Sequence, residues 1–191
     1  MLEVILKSIL LKEFCLTGRF GEVEISMAIS DVKRILGKPD HEQDYNSGSS
    51  GIMYAWYEFF YWTDSQILYA IQNDHLTSFT NLKGKDNIKA HKNDITFKNK
   101  KFYLDIWFLN PGKDITYKEV VEYLLTDNIK FKEIEDEYEG FIIEFESGVR
   151  LDFDDRSGWF YENNDEQILA NQNIIKNKEE QLLNGMRLFR L

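Results

Sequence analysis

What most constrains this chain is an order of elements that occurs twice, a punctuated helix followed by alternating strands. In the first copy Ser30 stands as N-cap, Val32, Ile35 and Leu36 share one helical face, and Gly37 with Pro39 ends the helix. Two strands follow, Ile52 to Trp62 and Gln66 to Gln72, joined at Thr63-Asp64-Ser65, with Ile67, Tyr69 and Ile71 recurring at period two. In the second copy Thr116 caps a helix that turns Val120, Val121 and Leu124 inward. Phe141 to Phe145 and Val149 to Phe153 then flank a Ser147-Gly148 turn, so Val149, Leu151 and Phe153 stand where Ile67, Tyr69 and Ile71 stood. A half-buried strand must have its apolar face covered, and the preceding helix is the natural cover. The expected fold is therefore α+β, two diverged repeats of a capped helix plus an antiparallel β-hairpin.

The ends of the chain read as helices. Leu2, Ile5, Leu6, Ile9, Leu10 and Leu16 recur at helical spacing before Gly18, and Ile168, Ile175, Leu182 and Phe189 fall seven residues apart near the C-terminus. The implied organisation is an N-terminal helix with a first α+β unit over 1–82, a lysine-rich connector over 83–101, a second α+β unit over 102–164 and a C-terminal helix over 165–191. A short strand is expected near 95–97 and another near 78–82. The loops at 40–51 and 133–140 read as polar and irregular.

Composition narrows the function classes. With 191 residues, 43% hydrophobic and 15% aromatic, the chain can bury one good core or two small ones. Its net charge of -10 repels nucleic-acid backbones and anionic membranes, and it attracts a basic protein. The single Cys15 builds no disulfide framework, which fits a reducing compartment. Glu3, Lys7, Lys12 and Glu13 interrupt the apolar start, and nothing approaches the ~18 apolar residues of a membrane span. The expectation is a cytoplasmic protein, with no nucleic-acid or membrane partner.

Chemistry-bearing patterns are sparse. His41, His75 and His91 have no partner at metal-ligand spacing, and no serine occupies a glycine-flanked elbow beside Asp74-His75. Asp152 to Gly158 has an acidic start, yet Arg156 stands at a position a calcium loop needs for a ligand. Gly48 and Gly51 flank serines without the lysine of a phosphate loop. No catalytic residue, metal or cofactor is expected from these patterns.

Two features suit a partner instead. The run Tyr54 to Trp62 places aromatics on both faces of a strand, so that Tyr54, Trp56 or their alternates would form an exposed anchor if one face is uncovered. Asp40, Glu42, Asp44 and Tyr45 in the first unit, and Glu133, Glu135, Asp136, Glu137 and Tyr138 in the second, make matched acidic segments with tyrosines.

The stretch from Gly21 to Asp40, the strand Tyr54 to Tyr61 and the strand Gln66 to His75 resemble a family of uncharacterised bacterial proteins. The resemblance lies in a helix that closes on leucine-glycine-x-proline-aspartate, a strand around tryptophan and a strand ending in aspartate-histidine. Ile115 to Leu124 and Ser147 to Phe153 resemble that family's second unit. The helix-and-hairpin order is also similar to the beta-lactamase inhibitor protein and to small outer-membrane assembly lipoproteins, by analogy of fold alone. The resemblance implies an immunity-type role. The expected function is thus a non-enzymatic protein-binding module that inhibits a bacterial toxin, with a basic toxin domain as partner and a monomeric or dimeric state. The alternative is a small-ligand-binding or hydrolytic module with a pocket between the units, near Trp56, Asp74 and His75.

Overall fold

The structure is a computed structural model and describes residues 7–77, 85–136, 140–154, 159–162, 166–169 and 177–190. The first half runs β1 (Lys7–Leu10), α1 (Leu11–Thr17), α2 (Ile29–Leu36), β2 (His41–Asp44), β3 (Ser49–Tyr54), β4 (Tyr57–Trp62) and β5 (Leu68–Asn73). The second runs α3 (Lys85–Ile95), β6 (Phe102–Asp105), α4 (Tyr117–Thr126), β7 (Lys132–Asp136), β8 (Gly140–Glu144), β9 (Arg150–Asp154), β10 (Trp159–Glu162), β11 (Glu166–Leu169), a 3-10 turn at Lys178–Glu180 and β12 (Leu182–Phe189). Eight strands form one antiparallel sheet in the order β2-β3-β4-β5-β12-β9-β8-β7. Strand β1 pairs with β6 in parallel, and β10 pairs with β11.

The sheet has the same chain order read inward from either edge, and each half is preceded by one helix that starts beside its innermost strand. Ile29 N–H donates to Gln66 O and Leu68 N–H to Met27 O, both at 2.8 Å. In the other half Tyr117 N–H donates to Gln181 O and Leu183 N–H to Ile115 O, again at 2.8 Å. Upstream of each helix lies a tight bridge, Phe20 to Val23 in one case and Asn110 to Lys113 in the other. The α+β class is therefore observed, with the two innermost strands, β5 and β12, joining the halves at the sheet centre.

One sheet face carries the core. Tyr57, Phe59 and Tyr61 alternate into it from β4, and Phe20 sits among Phe14, Tyr57 and Phe59 with ring centroids 5.4 to 5.8 Å apart. In the other half Tyr117 packs edge-on against Phe153 at 4.8 Å. Met186 and Leu188 of β12 complete the same face; Met186 Sδ lies 4.0 Å from Cys15 Sγ. Gly18, in a left-handed conformation, ends α1 and leaves room for Leu188, since a Cβ there would lie 3.3 Å from that side chain.

Helix α4 begins as its sequence foretells. Thr116 Oγ1 accepts from Glu119 N–H while Glu119 returns a carboxylate to Thr116 N–H, a complete capping box. Thr116→Ala is expected to lower unfolding stability by about 1 kcal/mol, read by chemical denaturation. Helix α2 differs from expectation: its N-cap is Ala28, and Ser30 lies within the first turn. The bridge of Ala28 to Ile67 anchors that end through the sheet, which makes a side-chain cap dispensable.

Four further expectations are corrected. The N-terminal helix is shorter than its periodicity, because Lys7–Leu10 pairs with β6; only Leu11–Thr17 is helical, and residues 1–6 lie outside the described residues. The C-terminal helix does not form over 166–169 or 182–189, which are strands, and β12 is hydrogen-bonded on both sides. The connector contains helix α3, which runs through Ile95 in place of the expected strand. The run from Ile52 to Trp62 is two strands, because the chain reverses at Ala55-Trp56, with Ala55 at φ 51° and Tyr54 opposite Tyr57. The strand expected near 78–82 lies outside the described residues.

Candidate functional site

Alternation sends the side chains between the core positions to the opposite face of the sheet, and there they sort into rows. Register places Gly51, Phe60, Ala70 and Phe189 side by side across β3, β4, β5 and β12. The next row crosses all eight strands as His41, Met53, Glu58, Gln72, Arg187, Arg150, Glu144 and Lys132. An aromatic row thus lies beside a polar one.

The aromatic row is widened by neighbours. A bulge at Phe60/Tyr61 sets two residues of β5 against one of β4, and this turns Tyr69 onto the same face as Phe60. Trp62 stacks on Tyr69 with centroids 4.3 Å apart, and Tyr69 hydroxyl meets Ser49 Oγ at 2.7 Å. Tyr45 leans over Gly51 to reach Phe60 at 5.9 Å; a Cβ at Gly51 would come within 2.9 Å of the Tyr45 hydroxyl, so glycine is what allows the approach. Trp62, Phe189 and Tyr45 are 42%, 43% and 37% exposed, whereas Ala70 at the centre is fully buried. The result is a rim of rings around a small-residue floor.

The polar row supplies charge beside it. Gln72 Nε2 donates to Glu58 Oε2 at 2.6 Å, and burial, reinforced by the Asp74 carboxylate, pushes the Glu58 carboxyl above the ordinary glutamate range. Arg150 Nε donates to Glu144 Oε2 at 2.8 Å, and Arg187 Nε is paired with the buried Asp152.

The acidic segments expected to meet a partner occupy opposite edges of the sheet. Asp40 Oδ2 accepts from Ala55 N–H, Asp44 Oδ1 accepts from Asn46 N–H, and Glu42 pairs with Lys33 of α2. Tyr45 alone among that group joins the aromatic face. Glu133 accepts from Lys178 Nζ and Tyr117 hydroxyl, Glu135 is exposed on β7, and Asp136 ends that strand half-buried. Glu137 and Tyr138 lie outside the described residues. The two edge strands stand seven inter-strand steps apart, roughly 34 Å along the sheet at ~4.8 Å per step. Their charges have a local use, since charged side chains on an edge strand oppose pairing with another chain's edge.

A second group of interest does assemble. Trp56, at the β3–β4 turn, lies over His75 with centroids 3.8 Å apart, and Asp74 Oδ1 is 3.3 Å from His75 Nε2. Asp94, at the end of α3, joins them; burial chiefly raises its carboxyl, opposed by His75, His91 and Trp56. Tyr54 is instead fully buried and bonds Gly37 O. His91 is buried between Leu76 O and Gly112 N–H, with Nδ1 accepting from Gly112 at 2.8 Å and Nε2 lying 2.8 Å from Leu76 O. Cys15 is buried in the core, and burial pushes its thiol up, which disfavours the thiolate. Among the described residues no three His, Cys, Asp or Glu side chains are grouped to hold a metal, and no helix is long and apolar enough to cross a membrane.

Sequence reasoning missed Phe60, Trp62, Tyr69 and Phe189 as a set. The period of two in Glu58, Phe60 and Trp62 carried half of the signal; the bulge and the docking of β12 carried the rest, and neither is local. Comparison with protein-family models, with curated proteins and with solved structures finds no match to this chain.

Proposed function

We propose that the chain is a non-enzymatic binding protein whose open sheet face docks a basic protein, most concretely a bacterial toxin that it occludes as an immunity-type inhibitor. The observation that carries this reading is the exposed cluster of Tyr45, Trp62 and Phe189 around Phe60, Tyr69 and Ala70. Aromatic rings held rigid by one another cost little further entropy on binding, and such rings dominate protein interfaces. The net charge of -10 favours a basic partner and speeds its approach. The matched strand orders, together with the matched bonds at α2 and α4, support reading the halves as diverged copies of one unit. The acidic segments at the edges enter this reading as long-range charge.

The test is co-expression with the product of an adjacent toxin gene. Co-purification as a stoichiometric complex and loss of toxicity are expected; unchanged toxin sensitivity on deletion of the chain sinks the proposal. Glu58 refines it. Its carboxyl must be ionised to meet a lysine or arginine, and its range is raised, so affinity should fall on going from about pH 7 to about pH 5. Glu58→Gln should weaken binding about tenfold and flatten that pH dependence. In the free protein the sign is opposite. A raised carboxyl stabilises the fold at low pH, and this contribution is lost as pH rises through the raised value, so the glutamine variant should be no less stable at neutral pH.

A second reading keeps one specific observation, the assembly of Trp56, Asp74, His75 and Asp94. It would make the chain a small-ligand or hydrolytic module. Loss of an activity in His75→Ala with the sheet face intact would favour it over the first.

A further inference from the structure

The lysine-rich stretch before β6 meets the opposite end of the first half at a cleft of about 410 Å³. Pairing of β1 with β6 brings Lys7 beside Lys100 and Lys101, with Lys7 N–H donating to Lys101 O at 3.2 Å. The C-terminus of α2 adds Arg34, whose carbonyl accepts from Lys101 Nζ. Four cationic side chains therefore ring one cleft on a protein with a net charge of -10.

Beneath the rim the walls are apolar. Ile9, Leu36 and Phe102 are buried there, and Ile35 is half-buried. Gly21 holds φ at 64° directly against Ile9, so any larger residue would be strained and would collide with that wall. The volume falls within the ~300 to 1,000 Å³ typical of small-molecule sites.

The mouth already holds one carboxylate. Glu22 is hydrogen-bonded by Lys7 Nζ, and Lys7 first and Arg34 second hold its carboxyl below the ordinary range, as expected where the local potential is positive. Lys100 makes no ion pair among the described residues. Arg34 Nη2 also donates to Asp31 Oδ1 at 3.0 Å, so two carboxylates, Glu22 and Asp31, stand against the four cations and the rim retains positive charge.

We propose that this cleft binds a small carboxylated amphiphile, its carboxylate taking the place of Glu22 among Lys7, Arg34 and Lys100 and its apolar body lying on Ile35 and the exposed edges of Ile9 and Phe102. The apolar wall supplies affinity and the cations select for the anion. The site is separate from the aromatic face and stands or falls independently of the proposed inhibitor role.

The experiment titrates the full chain with sodium octanoate and follows backbone amide NMR shifts, with octanol as the uncharged control. Saturable shifts centred on Ile9, Gly21 and Phe102 are expected, with octanol at least about tenfold weaker. Glu22→Gln removes the internal competitor and should tighten octanoate binding about threefold. Arg34→Glu combined with Lys100→Glu should weaken it about tenfold, with circular dichroism unchanged because both side chains are on the surface. Equal binding of octanol and octanoate, shifts centred on Trp62 and Tyr69, or an affinity indifferent to these charge changes would overturn the assignment.

Discussion

Trp62→Ala combined with Phe189→Ala is expected to weaken binding of the toxin partner by about a hundredfold or more while the free protein stays folded. Each ring is more than two-fifths exposed, so truncation removes little buried area and should change stability by no more than about 1 kcal/mol. Each also stands on the rim of the aromatic row, where loss of an anchor removes contact area and leaves a wet gap at the interface. Central aromatic contacts cost about 2 kcal/mol or more when truncated, and a hundredfold loss corresponds to about 2.7 kcal/mol for the pair. Calorimetric titration of the purified complex measures it. An affinity unchanged within threefold would mean that the partner sits elsewhere, and the edge strands β2 and β7 would be the next surfaces to test.

The second large effect is on stability. Leu188→Ala should cost about 2 to 5 kcal/mol in chemical denaturation, against a near-neutral Phe189→Ala one residue later. Leu188 is 1% exposed, faces Ile71 across the seam of β12 and β5, and fills the space between Gly18 and Gly148. A cavity there loosens α1, the turn before β9 and the seam between the halves at once. Equal effects at the two positions would contradict the placement of β12 as a central strand with one face in the core.

That contrast also shows where the sequence stopped being legible. The seven-residue spacing of Ile168, Ile175, Leu182 and Phe189 reads as a helical stripe, yet Leu182 and Phe189 lie on a strand, where the register shift between them leaves both on the face away from the core, one covered and one exposed. A strand with neighbours on both sides can bury residues in succession, and the shift between Leu183 and Gly185 breaks what alternation remains. The N-terminal stripe misled for the same reason: the parallel partner of Lys7–Leu10 lies 95 residues away, where no periodicity can report it.

At the candidate site the aromatic run was visible, but its sorting was not. The two-residue turn at Ala55-Trp56 sends Tyr54 into the core and Trp56 toward His75, and it leaves Phe60 and Trp62 for the open face. Trp56 lies over His75 beside Asp74, three residues that the sequence linked only as the neighbourhood of a pocket between the units. The acidic segments were read as matched loops; they are matched edge strands, which separates them by the whole width of the sheet.

By itself, then, the sequence determined what short-range physics controls: the capped start of α4, the stop of α2 at Gly37 and the hairpin around Ser147-Gly148. These follow from hydrogen bonds and steric limits within a few residues. Only the tertiary structure decided that the last segment is a strand, that it closes the two halves into one sheet, and which aromatics remain in water. Those outcomes depend on backbone groups finding partners far along the chain, and a strand's exposed face is defined by what packs against its neighbours.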